Sequence, residues 1–268
     1  MNLHKCILVN NDCYKAGVKM KPCGVMVHST GCNNPNLRRY VQPDDGRLGK
    51  NNGGSHWNQP KPGGKSVCVH AFIGKLADGS IATYQTLPWD IVGWHSGYGF
   101  YGSANRQGYI GFEICEDGLT DPVYFAKVYR EAVELTAYLC RTYNLDPRKD
   151  GTVICHSEGY KRGIASNHAD VMHWFPRHGK DMNTFRADVA AEWSKNQDAE
   201  KEDEDVTRYN KISDVPAYAR PTIIKLVDKG FIGGSGKVKD SNGRPADLDL
   251  SQDMIRCFVI NDRAGLYG

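Results

Sequence analysis

One stretch of the chain, VICHSEGYKRGIASNHADVMHWFP at residues 153–176, concentrates side chains that could do metal or acid–base chemistry. It contains three histidines, His156, His168 and His173, together with Glu158 and Asp170. Histidine binds metal ions as neutral imidazole and changes its charge near neutral pH. The residue types are therefore compatible with a metal site, a proton-transfer relay or an ordinary polar loop.

A second histidine-bearing segment narrows these alternatives. His28 lies at the end of the strand-like run in VMVHSTG, as His156 does in TVICHS, and two strand-end histidines could meet in space. A catalytic zinc ion usually takes three protein ligands and leaves its fourth position to water. The third ligand could be His168, Asp170 or His173, and the residues alone do not choose among them.

Short apolar runs indicate the sheet that would position these side chains. Five runs of strand-like composition occur at residues 23–29, 66–74, 80–87, 109–116 and 152–157. Asp121 followed by Pro122 is a typical helix start, and a long helix is predicted over Val123–Tyr143. Its apolar stripe consists of Val128, Ala132, Leu135 and Leu139.

A second helix is predicted over Asn183–Lys195. These elements together predict an α/β fold with a mixed central β-sheet flanked by helices. Residues 1–195 would form this α/β domain, and residues 196–208 begin with the acidic run NQDAEKEDED, which is typical of a solvated linker. Residues 209–268 contain two further helical patterns and are predicted to be a small, mainly helical module.

The charge and the amino terminus exclude several classes of function. The formal net charge is only +3, and no dense run of Lys and Arg is present, so we predict no nucleic-acid partner. The apolar run at residues 6–9 is too short for a signal peptide or a membrane span. We expect synthesis in the cytoplasm without a signal peptide and no membrane insertion. Nine cysteines without CxxC spacing indicate reduced thiols.

Several ordered blocks resemble the zinc-dependent N-acetylmuramoyl-L-alanine amidases, whose fold is shared by phage lysozyme-like amidases and peptidoglycan recognition proteins. The blocks are GVMVHSTG, VCVHAFIGKLADGSIATYQTLP, VGWHSG, YIGFEICED, and CHSEG followed by SNHADVMHWFP. They span roughly residues 20–195. Five blocks in the same order are far more specific than any single motif.

The resemblance implies a role for each of five residues. It places Zn²⁺ on His28, His156 and Asp170, and a catalytic carboxylate on Glu113 at the end of a strand. The family has a Lys two positions before the third ligand, where this chain has His168. His168 would then hold the oxyanion of the transition state, provided that it is protonated or donates an N–H.

Three further residues, Trp94, His95 and His70, are expected to line the substrate cleft, with packing in the core as the alternative. The resemblance implies hydrolysis of the amide between N-acetylmuramic acid and L-alanine in bacterial peptidoglycan, by an endolysin or prophage autolysin that reaches the wall after release. The C-terminal module would bind the wall or mediate dimerisation, and the oligomeric state stays open. The rival functions are a non-catalytic peptidoglycan-binding protein and a Cys-dependent wall peptidase that uses Cys155.

Overall fold

The apolar runs lie side by side in one sheet. The structure, a computed structural model, describes the backbone of residues 1–204 and 207–268 and the side chains of residues 1–195 and 207–268. The strands of the sheet are β1 (Leu3–Lys5), β2 (Gly24–Asn33), β3 (Ala71–Lys75), β4 (Ile81–Gln85), β5 (Tyr109–Glu116) and β6 (Val153–Cys155). Their order is β1-β4-β3-β5-β2-β6. Only β3 and β4 pair antiparallel, which confirms the predicted mixed sheet.

Helices connect and cover these strands. They are α1 (Asp12–Ala16), α2 (Ala104–Gln107), α3 (Pro122–Thr142), α4 (His156–Lys161) and α5 (Met182–Glu204). The side chain of Asp121 accepts hydrogen bonds from the backbone N–H groups of Val123 and Tyr124, so α3 begins where the capping pattern predicts. The predicted stripe of α3 is fully buried in the same core as the inner strands.

Several sheet elements differ from the sequence prediction, β3 and β1 most of all. The run predicted as a strand over residues 66–74 becomes regular only at Ala71, because the carbonyl of His70 accepts hydrogen bonds from the N–H groups of Thr86 and Leu87 and the chain bends there. The edge strand β1 was not predicted. Its three residues are too few to show the alternation from which strands are recognised.

The chain divides into two compact units, Met1–Asn196 and Gln197–Gly268. The second unit contains β7 (Arg208–Tyr209), α6 (Arg220–Asp228), β8 (Leu250–Ser251) and α7 (Gln252–Arg263). Its core is made by residues such as Val215, Ile223, Leu226 and Ile255. Residues 205 and 206 of the predicted linker lie outside the described residues, and the proposed roles of linker and module stay predictions.

In the part of the chain that the structure describes, no helix combines the length and the apolar character that crossing a membrane requires.

Candidate metal and catalytic site

Three neighbouring parallel strands bring the candidate residues to one edge of the sheet. In β2, His28 lies opposite Glu113 of β5 in the strand register, and Val27 lies opposite Cys155 of β6. His156 follows directly, as the first residue of α4. Since β2 lies between β5 and β6, parallel pairing places the three side chains beside one another, where ligands of parallel sheets usually bind.

The abrupt change from β6 to α4 fixes the position of His156. The predicted strand continues to residue 157, whereas the structure ends it at Cys155. The Glu158 carboxylate accepts a hydrogen bond from the Cys155 N–H at 3.2 Å, and Arg186 holds that carboxylate at 3.0 Å. This capping interaction turns the backbone at the strand end, so that the His156 ring faces His28.

His28, His156 and Asp170 form a compact group of potential metal ligands. His28 Nδ1 lies 3.1 Å from both His156 Nδ1 and Asp170 Oδ2, and the last two atoms are 3.6 Å apart. Tetrahedral zinc with bonds of about 2.0–2.2 Å would hold its ligand atoms roughly 3.3 Å apart. Two imidazole nitrogens and one carboxylate oxygen at this spacing fit a divalent cation.

The pKa shifts of His156 and Asp170 favour the protonation states that bind metal ions, a neutral imidazole and an ionised carboxylate. Burial, followed by the field of His28, lowers the pKa of His156 to about 4, so its ring is neutral and offers a lone pair. Burial raises the pKa of Asp170, but the two histidine rings beside its carboxylate, first His28 and then His156, outweigh burial and lower that pKa to about 2. Asp170 is therefore a carboxylate throughout the physiological range.

A fourth histidine, His95, orients His28. His95 Nε2 lies 3.1 Å from the backbone carbonyl of Tyr109 and must donate its proton there, because a carbonyl only accepts. Its Nδ1 is then an acceptor, 3.0 Å from His28 Nε2. His28 consequently carries its proton on Nε2 and presents an unprotonated Nδ1 to His156 and Asp170. Burial and the neighbouring histidines keep the pKa of His95 well below its usual value.

Glu113 carries a carboxylate oxygen for which the structure shows no hydrogen-bond partner. Its Oε2 atom is buried, and the residue lines the cleft in which the three candidate ligands lie. Burial raises the pKa of Glu113 well above its usual value, and the charges of Asp170 and Glu116 raise it further. A carboxylate of raised basicity that faces a cleft has the properties of a general base.

His168 lies at the rim of the same cleft, where it is exposed to solvent. Its ring centroid is 4.6 Å from that of His156. Ser166 links the two rings: its Oγ is 3.1 Å from His168 Nδ1 and 3.4 Å from His156 Nε2. Nothing in the sequence pattern singled out Ser166, since isolated serines are common in loops.

His173, one of the alternative third ligands, does not join the group. Its Nε2 lies 2.8 Å from Glu116 Oε1, which also accepts a hydrogen bond from the Gly31 N–H at 3.0 Å. The Thr30 hydroxyl accepts from the N–H of Glu116 at 3.1 Å. His173 and Glu116 thus fix the part of β2 that follows His28.

The cleft has a volume of about 1160 Å³. Two of the three residues predicted to line it, Trp94 and His95, do so. The structure does not bring His70 to the cleft. Its ring is fully buried, with Nε2 2.8 Å from the carbonyl of Ile91 and Nδ1 accepting from the N–H of Gly111 at 3.1 Å. These bonds between ring and backbone tie the start of β3 to β5.

A sequence model of the family described as N-acetylmuramoyl-L-alanine amidase matches residues 18–178. This range contains the three candidate ligands, Glu113 and His168. A search of curated proteins finds no match.

Several solved structures resemble the chain at low identity. The hydrolase AmiA of Staphylococcus aureus, in complex with its ligand, is 18% identical, with 74% of this chain and 84% of that chain covered and a TM-score of 0.48. PlyL is also 18% identical, with 72% and 98% covered and a TM-score of 0.48. A mutant endolysin from Bacillus subtilis is 21% identical, with 70% and 99% covered and a TM-score of 0.46.

Proposed function

The chain belongs to the N-acetylmuramoyl-L-alanine amidase family, and we propose that it acts on peptidoglycan with a zinc ion held by His28, His156 and Asp170. Its reaction is hydrolysis of the amide between N-acetylmuramic acid and L-alanine. The observation that carries the zinc proposal is the triangle of ligand atoms, 3.1, 3.1 and 3.6 Å on its sides, beside the unpartnered carboxylate oxygen of Glu113.

The donor set accounts for the choice of metal. Two neutral imidazoles and one carboxylate resemble the His and Glu ligands of hydrolytic zinc sites. When bound, zinc supplies a Lewis acid that polarises the scissile carbonyl and lowers the pKa of water toward about 7. His95 contributes as a positioning residue, because its bond to His28 keeps the ligand nitrogen unprotonated.

Glu113 is the proposed general base. It would take a proton from the attacking water while the oxygen of that water bonds to the scissile carbonyl carbon. The same proton would pass to the nitrogen of L-alanine as the carbon–nitrogen bond breaks. The products are the free lactyl carboxylate and a new amino terminus on the stem peptide, so atoms and charge balance.

His168 is the proposed donor to the oxyanion that forms on the carbonyl during this step. Its position at the rim places it beside His156, within reach of a substrate that occupies the cleft. An N–H aimed at the developing charge stabilises the transition state more than the ground state. The family Lys would act through its ammonium, whereas His168 can act through a neutral N–H or as imidazolium.

Zinc analysis combined with digestion of purified cell walls tests this function. We expect chelation to abolish digestion, zinc to restore it, and mass spectrometry to reveal new amino-terminal L-alanine. A non-catalytic binding protein would release no L-alanine termini.

The rival Cys-dependent peptidase predicts the opposite response, namely indifference to chelators and inactivation by Cys155→Ser. Cys155 is buried, and burial raises the pKa of its thiol, so it is a poor nucleophile. We expect Cys155→Ser to keep most of the activity. Full activity in protein stripped of metal would overturn the zinc mechanism.

A further inference from the structure

We propose that an exposed aromatic hairpin beside the cleft, residues 97–103, binds the glycan strand of the substrate. The segment reads GYGFYGS and contains Tyr98, Phe100 and Tyr101. This inference rests on the proposed function, because it assigns a second part of the same substrate to a surface next to the site of hydrolysis.

The three rings of the aromatic hairpin face solvent to an unusual degree. Tyr98 is 66% exposed, Phe100 89% and Tyr101 73%. Single exposed apolar residues are normal on protein surfaces, but three aromatic rings within four residues form a patch of the kind that marks an interaction site. The Phe100 side chain has no atom that can form a hydrogen bond with water, so exposing its ring does not stabilise the folded chain.

The backbone holds these rings in place. Gly99 and Gly102 exchange hydrogen bonds of 2.7 and 3.3 Å across the hairpin, and the N–H of Tyr101 donates to the carbonyl of Gly163 at 2.7 Å. A side chain at Gly99 would meet the carbonyl group of Gly163 at 2.4 Å, so the glycine permits this close approach. The Phe100 and Tyr101 rings meet edge to face, with centroids 4.9 Å apart. The surface is therefore ordered before any ligand arrives.

The base of the aromatic hairpin adjoins the proposed catalytic residues. Gly97 packs on Ser166, whose hydroxyl contacts His156 and His168. Tyr98 lines the cleft, and its hydroxyl accepts a hydrogen bond from Arg106 Nε at 3.2 Å. In the proposed substrate, the scissile amide is attached to a sugar through one short lactyl group. Sugars next to that one would therefore lie close to the rim of the cleft, of which Tyr98 is a part.

The chemistry of the patch selects a neutral glycan over other occupants. Residues 96–105 contain no Asp, Glu, Lys or Arg. Nucleic acids and anionic membrane surfaces are bound through several Lys and Arg side chains. This segment has none, and Arg106, which follows it, donates its Nε–H to the Tyr98 hydroxyl. N-acetylated sugar rings are uncharged, and their C–H faces stack on aromatic rings, while tyrosine hydroxyls can bond to sugar hydroxyls and acetamido groups.

The test compares a long substrate with a short one in the full-length protein. The double variant Phe100→Ala/Tyr101→Ala removes two exposed rings, so the fold and zinc content should not change. We expect kcat/KM on glycan strands that carry stem peptides to fall about 10-fold, mainly through KM, which corresponds to about 1.4 kcal/mol. On a muropeptide with a single N-acetylmuramic acid, kcat/KM should stay within about twofold of wild type.

Val123→Ala is the matched control, because Val123 is 63% exposed on α3 and is not part of the aromatic hairpin. It should leave both substrates unaffected. Equal losses on both substrates in the double variant would overturn the proposal, since the hairpin would then act on the hydrolytic step or the fold. Unchanged activity on both substrates would overturn it as well.

Binding of an N-acetylglucosamine hexamer gives a readout that does not depend on hydrolysis. Wild type should bind the hexamer, and the double variant should bind it about 10-fold more weakly. If the protein hydrolyses no muramoyl amide but this difference persists, the proposed function fails while the glycan surface stands. Absence of hexamer binding by wild type would overturn the surface. So would hairpin-dependent binding to phosphatidylcholine vesicles, or hairpin-dependent self-association, in place of hexamer binding.

Discussion

Replacing His95 should weaken zinc binding although His95 is not a proposed ligand. In His95→Phe the ring volume is largely kept, but the acceptor 3.0 Å from His28 Nε2 is lost. His28 can then keep an unsatisfied N–H or move its proton to Nδ1, where it would block the metal. Either outcome costs about 1–3 kcal/mol, the penalty for an unpaired buried polar group. Zinc affinity should therefore fall about 10-fold to 100-fold.

His95→Asn is the informative comparison. The Oδ1 of asparagine occupies nearly the position of the histidine Nδ1 and can accept the same hydrogen bond from His28. We expect zinc affinity within roughly threefold of wild type for this variant. Trp94→Phe changes the neighbouring residue of the same cleft wall, keeps the bond between His95 and His28, and serves as control.

Competition with a chromophoric chelator measures the zinc dissociation constant of each variant. Nitrogen NMR shifts of His28 in the metal-free protein report its tautomer, with the proton expected on Nε2 in wild type and in His95→Asn. If His95→Phe bound zinc as tightly as wild type, or if the Asn and Phe variants lost the same affinity, the reasoning about the tautomer would be refuted.

The other predictions concern the proposed catalytic groups Glu113 and His168 and the proposed ligand Asp170. Glu113→Gln should lower turnover by about 10²-fold to 10⁴-fold. The pKa of Glu113 is raised in the folded state, so the folded protein loses stability as the pH rises above the ordinary pKa of a glutamate. Glutamine cannot ionise and avoids this loss. In thermal unfolding of the metal-free protein, Glu113→Gln should therefore be stabilising at about pH 8 and less so at about pH 5. A stability difference that grows toward acid pH would contradict this sign. His168→Ala should lower turnover about 10²-fold with zinc retained, whereas Asp170→Ala should lose zinc. Metal analysis that shows the reverse pattern would exchange the two roles.

Much of the fold could be predicted because it depends on local pattern. The α3 helix has an Asp–Pro start and an apolar stripe, and both features act within one or two turns. The runs that form β2, β4 and β5 are apolar and bounded by turns, so the start of each was located to within one residue. The ends of the runs at residues 66–74 and 152–157 were misplaced, because they depend on hydrogen bonds to distant segments and on the capping of α4.

The candidate site likewise has residues that local sequence signals indicate and contacts that only the folded structure reveals. Strand ends indicated His28 and His156, and the resemblance to the amidase family indicated Glu113. The structure places all three where neighbouring parallel strands end. The bond between His95 and His28 joins residues 67 positions apart and depends on which nitrogen of each ring carries a proton. No spacing rule encodes that relation. The aromatic hairpin was equally hidden, because YGFY shows neither helical nor strand periodicity and its exposure follows from the packing on Gly163.

The proposed ligands come from segments that are far apart in the chain, with His28 and Asp170 separated by 142 positions. An unfolded chain cannot hold these groups together, so zinc would bind the folded form almost exclusively. The ion would then act as a reversible cross-link that adds about 4 kcal/mol to the free energy of unfolding at a free zinc concentration 1,000 times the dissociation constant. Zinc supply would thereby set the lifetime of the folded enzyme as well as its activity. Molecules starved of the ion would be the first to unfold and to be degraded.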